Sequence, residues 1–199
     1  MAFLSSRRQI VRGRRLPWLF HWLWLCALAG GCNSWTASAQ TPAPTEYQLK
    51  AVFLFNFAQF VEWPTNSFAD AKSPIVIGVL GDDPFGNYLD ALVRGEQVNH
   101  RPLVIKRYAR VEDIKSCQIL FISTSERDRL DSNLEKLRGR SILTVGDTEG
   151  FVSRGGMIRF AVEKNKIRLR INLDSARAAN LVLSSKLLRT ADKVLSRQD

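Results

Sequence analysis

Reactive side chains are scarce in this chain. Of its 199 residues, three are cysteine and two are histidine. Cys26 and Cys32 fall within the first 39 positions, so Cys117 stands alone in the body and has no partner for an intramolecular disulfide. One Cys and one distant His, His100, do not supply the three or four ligands that a zinc site needs. No Gly-x-Ser-x-Gly elbow accompanies His100, which sits in a polar loop beside Arg101-Pro102. Gly78 and Gly81 lack the spacing of a dinucleotide fingerprint. Internal repeats and low-complexity stretches are missing as well. These absences leave an enzyme without a constellation to work with, and they lead to the expectation of a protein with no catalytic residues, no metal and no cofactor.

Acidic residues are missing from the N-terminus. Arg7, Arg8, Arg12, Arg14 and Arg15 precede an apolar run from Leu16 to about Ala29, and Ala37-Ser38-Ala39 then offers a small-x-small cleavage pattern. The chain therefore predicts an export signal over 1–39 cut after Ala39, a short tether over 40–44 containing Pro and Thr, and one domain over 45–196. Three alternatives stay open. The apolar run could persist as an anchor, Ser6-Arg7-Arg8-Gln9-Ile10 resembles a twin-arginine signal, and Leu28-Ala29-Gly30-Gly31-Cys32 approximates a lipoprotein box with lipid on Cys32. The formal net charge is +10, and removing the five leader arginines leaves about +5. That bias is too mild for a nucleic-acid binder, and an exported domain meets neither nucleic acid nor an ATP pool. In an oxidising compartment a lone Cys117 is either a buried thiol packed as a small hydrophobe or half of an intermolecular bridge.

The stretch from Glu46 to Pro64 carries the most apolar surface. Thr45 and Gln48 have the spacing of a capping box, and Pro64 disfavours helix at Trp63, so a helix is predicted between them. Leu49, Val52, Phe53, Phe55, Phe57, Phe60, Val61 and Trp63 are interrupted only by a few polar residues, more than one amphipathic face holds. Those interruptions recur too often for a membrane span. Such a helix is buried in the core, or part of it, at Phe55, Phe57 and Trp63, is buried against a partner or a second copy.

Pro74 to Gly81 is a continuous β-branched run, which predicts a strand covered on both faces. Strands are further predicted at 103–105, 117–122 and 141–145, alternating with helical spacing at 85–94, a short turn at 111–115, and Leu130, Leu134 and Leu137 in a helix over 126–138. This alternation gives an α/β fold with a mainly parallel sheet flanked by helices. After a glycine turn at Gly155-Gly156, strands 157–162 and 167–172 form a hairpin. Ile158, Phe160, Val162, Ile167, Leu169 and Ile171 share one face, which sends Arg159, Arg168 and Arg170 to the other. That row is either a solvated face or a contact for an acidic protein or an anionic surface. Asp174 is expected to cap a long C-terminal helix reaching Leu195, striped by Leu183, Leu187, Ala191 and Val194.

Asp82-Asp83 follows the first long strand, where open α/β sheets bind ligands. A phosphoacceptor receiver site would also need an Asp after the third strand, where Ser123 stands, so the pair reads as a turn and helix cap. A pocket for a small ligand beyond Gly81 to Phe85 remains the second functional reading.

Several separated stretches resemble one family. Tyr47-Gln48-Leu49-Lys50-Ala51, Phe55-Asn56-Phe57, Phe60-Val61-Glu62-Trp63-Pro64, Gly155-Gly156-Met157-Ile158-Arg159-Phe160, Ile171-Asn172-Leu173 and Ser184-Ser185-Lys186-Leu187-Leu188 are similar to YfiR-family sequences. The resemblance spans about Thr45 to Val194. It implies a periplasmic, non-catalytic regulator that inhibits a membrane-bound diguanylate cyclase through the enzyme's periplasmic domain. An outer-membrane lipoprotein that sequesters the regulator is implied as a second partner, and a homodimer as its assembly. Cyclic-di-GMP would be made by the partner in the cytoplasm and never by this chain. Family members carry disulfides that affect stability, and the single Cys117 departs from that pattern.

Overall fold

Reciprocal caps start the first helix. In the computed structural model, which describes residues 45–196, Thr45 Oγ1 accepts from the Gln48 N–H at 3.3 Å and Gln48 Oε1 accepts from the Thr45 N–H at 2.7 Å. The expected leader over 1–39, its cut after Ala39, Cys32 and the 40–44 tether lie outside the described residues. From the cap the chain runs α1 (Glu46–Phe60), β1 (Val61–Glu62), β2 (Ile75–Leu80), α2 (Asn87–Val93), β3 (Gln97–Val98), β4 (Arg101–Tyr108), β5 (Ile119–Ile122), α3 (Leu130–Leu137) and β6 (Leu143–Gly146). It finishes with β7 (Ile158–Glu163), β8 (Lys166–Asn172), α4 (Leu173–Ala178), β9 (Val182–Leu183), α5 (Ser185–Thr190) and β10 (Ala191–Leu195).

The main sheet has the order β10-β8-β7-β6-β5-β2-β4-β3. Strands β4, β2, β5, β6 and β7 are mutually parallel. Strand β8 returns antiparallel to β7, β3 is antiparallel to β4, and β10 lies parallel to β8 at the edge. The α/β class, the mainly parallel sheet and the hairpin after Gly156 agree with the sequence. Every residue of β2 is buried because alternate side chains enter two different cores. Ile75, Ile77 and Val79 join Ile119, Phe121, Leu143 and Val145 under α1 and α2. Val76 and Leu80 face the other way with Leu120, Ile122, Leu130 and Leu137, under α3. Each such side chain contributes about 1.5–3 kcal/mol when fully buried.

Helix α1 ends four residues before Pro64. Val61 and Glu62 leave helical geometry to pair antiparallel with Leu183 and Val182, so strand hydrogen bonds compete with the helix and win. The larger departure is at the C-terminus, where a single helix to Leu195 was expected. Asn172, rather than Asp174, provides the cap, its Oδ1 accepting from the Ser175 N–H at 3.0 Å. Helix α4 stops at Ala178, and Asn180 takes a left-handed φ of 57° that ends the helical run. Ser184 Oγ accepts from the Leu187 N–H to start α5, and the chain then becomes β10. Leucine spacing permits a helix there, but β8 offers an open edge whose backbone groups need partners, and β10 supplies them. Strand β3 was not expected either. It pairs with β4 through Asn99-His100, both at positive φ, the geometry of a two-residue hairpin turn.

The two glycines before β7 have different reasons. Gly155 holds φ at 102°, while a Cβ on Gly156 would overlap the Phe151 ring. The same ring closes from the other side on Gly146, where a Cβ would lie 2.6 Å from it. Phe151 is fully buried and cannot retreat. Gly156→Ala is therefore expected to cost about 1–3 kcal/mol by overpacking, read from the urea midpoint; a loss within 0.5 kcal/mol would show that the ring can move.

Candidate functional site

At the carboxyl ends of the parallel strands lies a closed polar cluster. Asp147 follows β6, and its Oδ2 accepts from Lys50 Nζ at 2.7 Å and from the Tyr47 hydroxyl at 3.1 Å. Its Oδ1 accepts from Thr124 Oγ1, just after β5, at 2.9 Å. Lys50 also pairs with Glu46 at 2.6 Å, one helical turn earlier, and its Nζ lies 4.3 Å from the Tyr47 ring centroid. The lysine is 2% exposed. Burial disfavours its ammonium, but hydrogen bonds to Asp147 and Glu46 outweigh that and raise its pKa above the usual value. Burial, then the charge of Asp147, raises the Tyr47 pKa as well. A lysine held protonated is no nucleophile. What the cluster does is fasten the first turns of α1 to the sheet edge.

This cluster was missed in the sequence, where Lys50 read as a mere polar interruption. A signal existed: a lysine inside an apolar helix must either reach solvent or find a carboxylate. Asp82-Asp83 forms the expected turn but not the expected helix cap, because Gly86 is the N-cap of α2 and no side chain caps it. Asp83 accepts from the Phe85 N–H at 2.8 Å and from Arg107 Nε at 2.7 Å, and Arg107 also holds Asp90. Hydrogen bonds to Asp90 and Asp83 raise the Arg107 pKa, and the same contact lowers that of Asp90. Asp82 donates its N–H to Ser125 Oγ at 2.9 Å, and Gly81 packs against Ser125 and Glu126. Among the described residues, no group of three or more His, Cys, Asp or Glu could hold a metal ion.

The aromatic residues expected at an interface separate into two kinds. Phe57 is 1% exposed and stacks on Phe160 with centroids 6.0 Å apart, so its ring belongs to the core and offers no surface. Phe55 and Trp63 are half-buried against the same core, and Trp63 Nε1 donates to the Gln118 carbonyl at 3.1 Å. Phe60 is also half-buried, with Lys186 Nζ 4.9 Å from its ring centroid. Val182, paired with Glu62 in the small β1–β9 ribbon, is among the most exposed large apolar residues. A cavity of about 620 Å³ opens beside this region, lined by Val61, Trp63, Phe68 and Arg101. Arg101 stacks 3.9 Å from the Phe68 centroid and donates to the carbonyls of Asp70 and Ser73.

The three arginines share the sheet face away from α1. Arg159 on β7 stands directly opposite Arg170 on β8, and Arg168 is opposite Ala161. Arg170 pairs with Glu163 at 2.6 Å, and Arg168 approaches Asp192 at 3.9 Å.

Cys117 is buried, and its thiol donates to the Ile119 carbonyl at 3.0 Å. Burial pushes its pKa up to about 12. The thiol is therefore expected to resist a disulfide reagent at pH 8 in the folded chain and to react fully in urea. Rapid labelling of the folded chain would contradict its burial and reopen an intermolecular bridge.

The sequence pattern that defines the YfiR/HmsC-like family matches residues 47–192, from the first turn of α1 to the start of β10. No curated protein matches the chain. Among solved structures, that of a conserved domain protein from Vibrio cholerae O1 biovar El Tor is similar at 11% identity with a TM-score of 0.44. The match covers 76% of this chain and 60% of that one.

Proposed function

The chain belongs to the YfiR/HmsC-like family, and we propose that it is an exported, non-catalytic regulator that holds a membrane-bound diguanylate cyclase inactive by binding the enzyme's periplasmic sensor domain. The family match across nearly the whole described chain is the observation that carries this reading. The site chemistry agrees with it: Lys50, Asp147, Asp83 and Arg107 are committed to ion pairs within the fold. Residues 1–39 act as the export signal, cut after Ala39, and 40–44 as the tether. The contact surface combines the half-buried edges of Phe55 and Trp63 with exposed Val182. An outer-membrane lipoprotein relieves the inhibition, and the regulator works as a homodimer.

Affinity capture from detergent-solubilised envelopes tests the reading. The full chain should retain a membrane diguanylate cyclase, and Val182→Asp should lose it without loss of fold. Retention of no membrane signalling enzyme contradicts the proposal.

The 620 Å³ cavity beside Trp63 and Phe68 favours a second reading, a periplasmic small-ligand sensor. A ligand bound there raises the melting temperature as the logarithm of its concentration. In the sequence-based choice of a pocket beyond Gly81 to Phe85, Gly81 itself packs against Ser125 and Glu126.

A further inference from the structure

Three cations stand in one row across neighbouring strands. Arg159 on β7 is in register with Arg170 on β8, and Arg170 is in register with Lys193 on β10. Like charges directly opposite one another in a sheet repel. A row of this kind persists at a cost unless something negative lies between its members.

The three side chains line a cavity of about 310 Å³, closed by the Glu149–Ser153 segment and by Leu195. Both Arg159 Nε and Arg170 Nε are shut off from solvent with no hydrogen-bond partner among the described residues. Arg170 uses Nη2 on Glu163, which leaves its Nε unmatched. A buried donor without an acceptor is unfavourable, and two of them border one small cavity. Among the described residues, one carboxylate, Glu149, joins the lining against three cations.

We infer that this cavity binds a small phosphate-bearing anion, its oxygens accepting from Arg159 and Arg170 with Lys193 adding charge. Guanidinium forks match the spacing of phosphate oxygens and hold them through paired N–H donors. The volume admits a phosphate with few attached atoms. Arg168 shares the sheet face but does not line the cavity, which makes it an internal control. None of this depends on the identity of the protein partner, because the cavity is built within one chain.

Inorganic phosphate is the first probe, added to the full chain at low ionic strength and read by thermal shift. The melting temperature should climb with the logarithm of phosphate concentration. Arg159→Gln and Lys193→Gln should each weaken the apparent affinity at least tenfold, and Arg168→Gln should leave it unchanged. Without phosphate, Arg159→Gln should melt no lower than the parent, since it removes a repelling charge, and that measurement separates lost binding from lost fold. Phosphatidylglycerol vesicles identify the source: co-sedimentation that phosphate competes away and Arg159→Gln loses assigns a lipid head group, and phosphate binding without co-sedimentation assigns a free phosphate ligand. No binding of phosphate or vesicles, or equal binding by Arg159→Gln and the parent, overturns the inference.

Discussion

Asp147→Ala should lower the free energy of unfolding by about 3–5 kcal/mol, the range for removing one partner from a buried ion pair. The substitution leaves Lys50 enclosed at 2% exposure with only Glu46, itself on the half-open side of the helix, as a counter-charge. It also strips acceptors from the hydroxyls of Tyr47 and Thr124. The loss belongs to the unpaired charge rather than to the pair as such. Removing both charges together, in Lys50→Met with Asp147→Leu, should restore most of the stability, because apolar groups of similar volume do not need each other. Urea titration of the two single variants and the double variant measures this. A loss below about 1 kcal/mol for Asp147→Ala would mean that α1 is fastened elsewhere. Alkali gives a second check. The folded pKa of Lys50 lies above its usual 10.5, so its contribution is complete below about pH 10.5 and fades as pH rises through the folded value. The raised Tyr47 pKa acts in the same direction, because the unfolded chain loses that proton first. The parent should therefore lose stability above about pH 10, and the double variant should lose less of it.

Phe57→Asp should abolish the folded state. The ring sits among Phe53 and Phe160, with Phe121 next in the aromatic row, and a carboxylate placed there has no counter-charge. Phe57→Ala isolates the packing part and should cost about 3–5 kcal/mol. Circular dichroism and urea titration distinguish this from an interface role: a folded, monomeric Phe57→Asp chain would place the ring at a contact between molecules. Substitution of half-buried Phe55 by serine should be milder, since part of its ring is already in water.

These two predictions divide along the line between what was legible in the sequence and what was not. The apolar run after Glu46 announced a helix, and its capping box fixed the first residue, because both are local. It did not reveal which aromatic residues face inward, and Phe57 was grouped with Phe55 and Trp63. Lys50 and Asp147 lie 97 residues apart and meet only because α1 crosses the carboxyl ends of β5 and β6. Nothing local marks that meeting beyond a lysine in an apolar helix. The parallel strands were readable because burial on both faces demands uninterrupted β-branched runs. The C-terminus was misread for the converse reason. Leu183, Leu187, Ala191 and Val194 keep helical spacing, yet the open edge of β8 and the β1–β9 pairing are long-range hydrogen-bonding demands that override it. The arginine row was placed on the correct face by strand parity, while Lys193, which completes it, was assigned to a helix.

The most direct measurement is cellular cyclic-di-GMP in a strain lacking the gene, compared with its parent and with the same strain carrying the gene in trans. The level should rise on deletion and return with complementation, with the Val182→Asp variant failing to restore it. An unchanged level in the deletion strain, with a partner cyclase present and expressed, would contradict the proposed inhibition.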